Sequence, residues 1–222
     1  MGNITIVVAR YKENLDWLSE IDNHVDIVVY NKGPDDFILP RSAKVVQLPN
    51  EGRETHTYFS HIVDNYKTMS GQLVFVQGHA KSHYFDFCHV INTLDADVEW
   101  MNLGIPFIKA SPDVPARLYW EYLFPDHPVP YLNTHGIGMQ CVTTAKGLRT
   151  RSKDFYSLLI NEAIKSPVFS DGVVWSWFGY FVELYLPYLF SGYDYDTVRQ
   201  KTNEWLKEAW TMPEELKPMR IY

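Results

Sequence analysis

The sequence predicts one α/β domain whose central sheet is mostly parallel and flanked by helices. Three apolar, largely β-branched runs carry this prediction, because such runs are typical of strands buried on both faces of a parallel sheet. They are residues 4–9, 25–30 and 73–76. Between the first two runs, the spacing of Trp17, Leu18 and Ile21 predicts a short helix. A strand, a helix and a strand in succession form a βαβ unit, which joins parallel strands.

The remaining elements follow from apolar periodicity and from capping residues. Residues 44–48 predict a third strand, and a long helix is expected to begin at Asn50 as its N-cap. Later segments predict a helix over residues 85–94, a loop over 100–115, a helix capped by Ser152, an aromatic helix over 175–190 and a last helix capped by Asp196. Because no repeat, low-complexity segment or linker is evident, we expect a single domain over residues 1–222.

Composition argues against several classes of protein. With 46% hydrophobic and 21% charged residues the chain is typical of a globular protein, and no run approaches the ~20 apolar residues of a membrane span. The net charge of -7 argues against a protein that coats nucleic acid. Two cysteines, Cys88 and Cys141, are too few for a disulfide scaffold. Since no leader peptide is evident at the N-terminus, we expect a cytoplasmic protein.

Polar residues follow each of the three central strands. The carboxyl ends of parallel strands share one edge of a sheet, where α/β proteins usually bind their ligands. We therefore expect one cleft to be lined by Ala9, Arg10 and Tyr11, by Asn31, Lys32 and Gly33, and by Gln77, Gly78, His79 and His83.

Three cations could bind a diphosphate in this cleft. Arg10 and Lys32 follow strands, and Arg53 lies at the start of a helix, where free N–H groups and the helix dipole favour an anion. The alternative for each is an ordinary surface ion pair.

Two histidines suggest a metal site. His79 and His83 are four residues apart, the spacing that aligns two imidazoles on one helical turn, so they could bind a metal together with Gln77. Hydrogen bonding to a substrate and a purely structural loop are the alternatives.

Three further residues are candidates for the site. Glu183 lies in an aromatic helix, so it is paired, faces solvent, or has a raised pKa and acts as a base. His135 and Gln140 lie in a glycine-rich segment, in which the backbone can approach a ligand closely.

Several segments resemble known families. Residues 7–18 are similar to the first strand and helix of the nucleotide-diphospho-sugar transferases of the GT-A type, and Asn31-Lys32-Gly33 resembles the end of their second strand. A closer resemblance is to a domain family of unknown function found in fungi, algae, bacteria and large viruses. Its pattern is Gly-Arg-Glu-x-x-Thr-Tyr-x-x-His-Ile-x-x-Asn-Tyr, followed by Phe-x-Gln-Gly and a His. Residues 52–66 and 75–83 fit this pattern, and residues 138–140 and 179–185 resemble its C-terminal blocks.

The resemblance implies a GT-A-like, Rossmann-related fold and a glycosyltransferase that moves a sugar from a nucleotide-diphosphate sugar to a hydroxyl of a glycan or glycoprotein. It implies a nucleotide-binding half (residues 1–83), an acceptor-side half (84–190) and a C-terminal helix and tail (191–222). Glu183 and His79 would be catalytic. The nucleotide and its diphosphate would contact Ala9, Arg10, Tyr11, Asn31, Lys32, Gly33 and Arg53. The acceptor would contact Gln77, Gly78, His83, His135 and Gln140.

One departure from the GT-A pattern concerns the metal. GT-A enzymes usually carry Asp-x-Asp after the strand that residues 73–76 form here, and it holds Mn or Mg against the diphosphate. This chain has Gln77-Gly78-His79 instead. A divalent metal would be weakly bound, bound through His79, or absent, and in the last case Lys32 and Arg53 would neutralise the diphosphate. Two alternatives stay open: a metal-dependent hydrolase built on Gln77, His79 and His83, and a carbohydrate-binding protein without turnover.

Overall fold

A six-stranded mixed sheet forms the centre of the protein. The structure is a computed structural model that describes residues 3–84, 86–110, 114–130, 132–166, 168–170, 174–211 and 219–220. Eleven strands lie in the described residues, six of them in this sheet and five in two smaller sheets. They are β1 (Ile4–Arg10), β2 (Asp26–Asn31), β3 (Lys44–Gln47), β4 (Gln72–Gln77), β5 (Met101–Asn102), β6 (Ile105–Ala110), β7 (Leu132–Ile137), β8 (Cys141–Thr144), β9 (Val168–Ser170), β10 (Val174–Ser176) and β11 (Met219–Arg220).

The helices cover both faces of this sheet. A 3-10 helix spans Asp16–Glu20. The α-helices are α1 (Arg53–Asn65), α2 (Ala80–His83), α3 (Phe87–Asn92), α4 (Val114–Leu123), α5 (Ala145–Leu148), α6 (Lys153–Lys165), α7 (Trp177–Leu184), α8 (Leu186–Phe190) and α9 (Tyr195–Thr211). No helix within the described ranges is long and apolar enough to cross a membrane.

The central sheet has the strand order β3-β2-β1-β4-β8-β5. The first four strands are parallel, whereas β8 is antiparallel to both β4 and β5. The three predicted runs lie in β1, β2 and β4, and each of these strands has a neighbour on both sides. The predicted α/β class and the mostly parallel sheet are therefore confirmed.

Alternating side chains of β1 and β4 enter two separate cores. Val7 and Phe75 belong to a core that contains side chains of α1, α6, α7 and α8. Val8 and Val76 belong to a core on the other face, with the 3-10 helix and α3. Both faces of these strands are buried, which explains why their sequences read as continuous apolar runs.

Several element boundaries differ from those predicted. The loop predicted over residues 100–115 was wrong for residues 101–102 and 105–110, which form β5 and β6, and β6 pairs antiparallel with β7; residues 111–113 lie outside the described residues. Helix α1 begins at Arg53 with Gly52 at the N-cap position, so the N-cap prediction for Asn50 was wrong. The predicted aromatic helix over 175–190 is divided into α7 and α8, and Pro187 in the first turn of α8 cannot donate a helical hydrogen bond.

The N-cap prediction for α6 was confirmed, whereas the one for α9 was wrong. Ser152 caps α6 as predicted, since its hydroxyl accepts from the N–H of Phe155 at 3.1 Å. The cap of α9 is Asp194 rather than Asp196, because Asp194 Oδ1 accepts from the N–H of Thr197 at 2.7 Å.

Candidate functional site

The sheet topology places a switch point between the carboxyl ends of β1 and β4. From β1 the chain adds β2 and β3 on one side and then returns to add β4 on the other. Ligands of open α/β sheets bind at such a switch point. Ala9 pairs with Gln77 across the two strands, and the N–H of Gly78 donates to the carbonyl of Ala9 at 2.9 Å. The predicted strand ends therefore meet at one edge.

Glu13 organises the loop that follows β1. Its carboxylate accepts from the N–H groups of Tyr11 at 2.6 Å and Lys12 at 3.0 Å, and its other oxygen lies 3.7 Å from His79 Nδ1. Burial alone would raise the pKa of Glu13, but the hydrogen bonds from His79 and from backbone N–H groups lower that pKa to about 2. The loop therefore keeps a negative charge. Gly78 packs against this side chain, since a Cβ at position 78 would lie 2.7 Å from Glu13 Cβ.

Arg10 is committed to contacts within the protein. Its guanidinium is buried and donates to Asn31 Oδ1 at 2.7 Å and to the carbonyls of Glu13 and Pro34 at 3.1 and 3.0 Å. The same group lies 3.9 Å from the centre of the Phe37 ring. Arg10 and Asn31 thus tie the ends of β1 and β2 together, and these contacts assign them to shaping the edge.

Lys32 is a buried clamp between β2 and α1. Its ammonium group donates to the carbonyls of Glu51, at 2.6 Å, and of Arg53, and lies 3.4 Å from His56 Nδ1. Two of the three N–H donors of the ammonium thus bond to carbonyls, while His56 Nδ1 itself donates to the Glu51 carbonyl at 3.1 Å. Burial lowers the pKa of Lys32 to about 8, although Glu54 and Glu51 partly oppose the shift. Lys32 was predicted to bind a diphosphate, but its contacts direct it to the loop before α1.

The clamp holds an unusual start of α1. Gly52 and Arg53 both have left-handed φ, of 56° and 51°. At position 52 a Cβ would lie 2.8 Å from His56 Cβ, so glycine is required there for space as well as conformation. The Arg53 side chain is 44% exposed, with Nε 3.6 Å from Glu54 Oε2. Of the three predicted phosphate cations, Arg53 is the one whose side chain reaches solvent.

Glu183 of α7 reaches the same region. Its Oε1 accepts from the N–H of Gly138 at 2.9 Å. Burial, with a smaller contribution from the charge of Glu54, raises the pKa of Glu183 to about 7. The hydrogen bond from Gly138 and the charge of Arg53 partly oppose this increase. A carboxyl that titrates near neutral pH can act as a proton acceptor or donor.

His83 meets Glu183 at Gly138. A Cβ at Gly138 would lie 2.6 Å from His83 Cγ, so the imidazole packs directly on this glycine. His83 Nε2 lies 3.2 Å from Gln77 Oε1, and the rings of His79 and His83 are 4.9 Å apart. Burial and the neighbouring His79 lower the pKa of His83, and the charge of Glu54 opposes this shift. Strand β4, helix α2 and helix α7 therefore converge on Gly138.

Of the other two predicted substrate residues, Gln140 does not add to this cluster. Gln140 is fully buried, and its amide donates to the carbonyls of Ala80 and Leu103, both at 3.2 Å. These bonds make Gln140 part of the core rather than a ligand contact. His135 is in β7, and its side chain lies outside the described residues.

Three site residues were missed in the sequence. Glu13 and Lys12 follow β1 just as the predicted Arg10 and Tyr11 do, so the same argument from strand ends could have included them. Glu54 adjoins Arg53 and acts electrostatically on both His83 and Glu183. Its signal was an acid in the first turn of α1, which is ordinarily explained by the helix dipole alone.

The described residues do not fit a tightly held metal. Within the ranges that the structure describes, no group of three or more His, Cys, Asp or Glu side chains is arranged to bind a metal ion. His79 and His83 are neighbours, but their partners are Glu13 and Gln77 respectively. We therefore derive no step that passes through a metal.

Comparison with known protein families gave a match over part of the chain. Residues 6–98 match the sequence model of a family described as "Protein of unknown function (DUF3431)". This region runs from β1 past α3 and includes the Lys32 clamp and the start of α1. The match agrees with the expected resemblance to a domain family of unknown function. No curated protein and no solved structure matches the chain.

Proposed function

We propose that this protein is a glycosyltransferase that moves a sugar from a nucleotide-diphosphate sugar to a hydroxyl of a glycan acceptor. The observation that carries the proposal is Glu183, a carboxyl with a pKa of about 7 at the carboxyl edge of the sheet. A transferase needs a base there to remove the proton of the acceptor hydroxyl, and a base is most effective when its pKa is near the working pH.

The donor would bind between β1 and α1. Arg53 and the exposed Lys12 supply positive charge, and the N-terminus of α1 favours an anion at the same place. Tyr11 is 42% exposed, its ring centre lies 5.1 Å from Lys12 Nζ, and it would offer an aromatic surface to the base of a nucleotide. Arg10 and Lys32 would act indirectly, because they fix the two loops that present these groups.

The reaction would proceed by proton transfer and displacement. The acceptor oxygen attacks the anomeric carbon while its proton moves to the Glu183 carboxylate. The bond between that carbon and the phosphate oxygen breaks, and the nucleoside diphosphate leaves with the bonding electron pair. Arg53 and Lys12 would stabilise the charge that develops on the leaving oxygen. His83, which packs on Gly138, would position the acceptor by a hydrogen bond.

The cellular setting is part of the proposal. Cys88 and Cys141 are both free thiols in the core. Buried unpaired cysteines fit a reducing compartment such as the cytoplasm, where nucleotide sugars are available to an enzyme of this kind.

The experiment is a donor screen followed by one substitution. UDP-, GDP-, ADP- and dTDP-sugars are added to the purified protein, with binding measured by thermal shift and turnover by release of the nucleoside diphosphate. We expect Glu183→Gln to leave donor binding within about twofold and to lower turnover by at least about 100-fold, the range of general-base catalysis. Glu204→Gln, at an exposed carboxylate on α9, is the matched control.

Three outcomes would overturn the proposal. One is that no donor binds. A second is that a fully active Glu183→Gln variant is obtained. The third is donor binding without turnover of any acceptor, which would instead favour a carbohydrate- or nucleotide-binding protein without catalysis.

A further inference from the structure

A second cavity lies at the edge of the central sheet opposite the candidate site. This amino-edge cavity is lined by residues at the amino ends of β1, β2 and β3, by the end of α1 and by the turn before β4. Its volume is about 500 Å³, within the range of small-molecule sites. The paired residues Thr5 and Asp26 mark this edge, and the paired Arg10 and Asn31 mark the other. Five residues of strand span about 16 Å, so the two places are separate.

His61 is the most buried polar residue among those described that line the amino-edge cavity. It is 4% exposed, and its ring packs edge-on against Tyr30 and Phe75. The Tyr30 hydroxyl lies 3.1 Å from His61 Nδ1. Asn65 Nδ2 donates to the His61 carbonyl at 2.8 Å and lies 3.5 Å from the same Nδ1. Because an amide NH₂ group can only donate, His61 Nδ1 is an acceptor.

The other ring nitrogen of His61 is therefore a donor. Burial, with a smaller contribution from the charge of Lys44, lowers the pKa of His61 to about 4, so the ring is neutral at pH 7. A neutral imidazole has one N–H group, and this must be Nε2–H because Nδ1 accepts. Within the described part of the chain, no acceptor bonds to Nε2–H. Buried donors are rarely left unpaired, and a molecule in the cavity that His61 lines can supply the acceptor.

The charged residues around His61 favour an anion as that molecule. Lys44 is exposed at the first residue of β3 and forms no ion pair with any described residue. Arg41 donates to the carbonyls of Ile21 and Asp22 at 2.7 and 2.8 Å, and neutral carbonyls do not cancel its charge. Asp26 is the one acid among the described lining residues. Two cations and one acid leave a net charge of +1, in a chain whose net charge is -7.

The rest of the lining favours a molecule larger than an inorganic ion. Apolar walls come from Val25, Val28 and Leu73. Hydroxyl and amide groups, which bond to ligand hydroxyls, come from Thr5, Asn23, Ser42, Asn65, Thr68 and Ser70. A sugar ring has an apolar face and hydroxyl groups at its edge, so a sugar that carries one anionic group fits the volume, the charge and the lining together.

We propose that the amino-edge cavity binds a small anion of the sugar-phosphate or sugar-acid type, with its anionic group between Lys44 and His61. An oxygen of that group accepts from His61 Nε2–H, and Lys44 supplies the opposite charge. The hydroxyl groups of the ring bond to the polar lining. The site goes beyond the proposed transferase function, because it lies at the other edge of the sheet and takes a different ligand.

The test is binding of defined sugar anions. Glucose 1-phosphate, glucose 6-phosphate, mannose 6-phosphate and glucuronate are titrated by ligand-observed NMR into the wild-type protein and into Lys44→Gln, with neutral glucose and inorganic phosphate for comparison. We expect at least one sugar anion to bind more tightly than glucose and phosphate. Lys44→Gln should weaken its binding about tenfold, the lower end for a hydrogen bond to a charged group. Lys44 is exposed, so this variant should fold.

A second measurement places the ligand at His61. In protein labelled with ¹⁵N-histidine, the bound ligand should shift one Nε2–H signal, which His61→Gln identifies by its absence. If that signal does not move when a sugar anion binds, the assignment of the anionic group to His61 fails.

Lys12→Gln is the matched control. Lys12 is also an exposed lysine, but it follows β1 at the carboxyl edge. Its substitution should change binding of the sugar anion by less than twofold.

Four outcomes overturn the inference. They are that no sugar anion binds, that phosphate or glucose alone binds as tightly, that Lys44→Gln binds unchanged, or that Lys12→Gln weakens binding instead. None of them bears on the proposed transferase function, because binding and turnover of nucleotide sugars are measured separately.

Discussion

The substitution Glu183→Gln should make the protein more stable at alkaline pH, whatever its substrate. Burial raises the pKa of Glu183 from 4.5 to about 7 in the folded chain. Each pKa unit corresponds to about 1.4 kcal/mol, so the ionised carboxylate destabilises the fold by about 3 kcal/mol. The pKa of Glu183 is higher in the folded than in the unfolded chain. The contribution of the protonated carboxyl to the free energy of unfolding is therefore fully present below about pH 4.5 and is lost as the pH rises through about 7. Glutamine keeps the shape and can still accept from Gly138, but it never ionises.

Urea unfolding of both proteins at about pH 5 and about pH 8.5 measures this effect. The Gln variant should be more stable than the wild type by about 3 kcal/mol at the higher pH and by less than about 1 kcal/mol at the lower pH. Glu204→Gln on α9 controls for the loss of an exposed charge. If the difference between Glu183→Gln and the wild type is the same at both pH values, Glu183 does not have a raised pKa, and the assignment of a base at this position fails with it. A stabilised but inactive variant is the expected signature of a functional group held in an unfavourable environment.

Three further predictions concern the loop before α1. Lys32→Met should lower the free energy of unfolding by about 1–3 kcal/mol in urea, because the part-buried carbonyls of Glu51 and Arg53 lose their shared donor. Lys12→Met at an exposed site should change it by less than about 0.5 kcal/mol, and equal effects would contradict the clamp. Arg53→Gln should weaken nucleoside diphosphate binding at least about tenfold in calorimetry through loss of a charged hydrogen bond, and unchanged affinity would remove Arg53 from the donor site. Gly52→Ala should destabilise the protein by about 1–3 kcal/mol in the same urea assay, because residue 52 has a left-handed φ and its Cβ would lie 2.8 Å from His56 Cβ. Gly179→Ala is the control: its Cβ would meet nothing closer than 3.5 Å, so the substitution should be neutral or stabilise by up to about 1 kcal/mol. The opposite order would refute the account of this turn.

The central sheet could be predicted because its pattern is local. Strands β1, β2 and β4 are buried on both faces, so their apolar runs leave little ambiguity. Strand β6 was missed because Pro106 and Lys109 interrupt its pattern, and proline within a run normally argues against a strand. It pairs with β7 and β11 in a separate sheet, so its partners are set by contacts between distant segments.

Residue type and position identified the site region but not the task of each residue. Arg10 and Lys32 follow strands at the binding edge, as a phosphate-binding cation would. Their roles depend on acceptors contributed by other segments, such as the carbonyls of Pro34 and Glu51. A sequence does not display these backbone oxygens, so a cation that binds a ligand and one that ties two loops together look the same.

Backbone strain gives a further, independent reason to place function at Glu183. Within the described ranges, the residues other than glycine with positive φ are Arg53 and Met139, both at 51°. A left-handed residue that is not glycine costs about 1–3 kcal/mol and persists only where the surroundings enforce it. Arg53 is enforced by the Lys32 clamp, and buried Met139 by its packing and by the Thr55 hydroxyl, 3.8 Å from its sulfur. The charge of Arg53 lowers the pKa of Glu183, and Met139 follows Gly138, whose N–H donates to the Glu183 carboxylate. Two strained turns on separate segments are thus held against one carboxyl, which is the distribution expected where geometry is maintained for chemistry at the expense of stability.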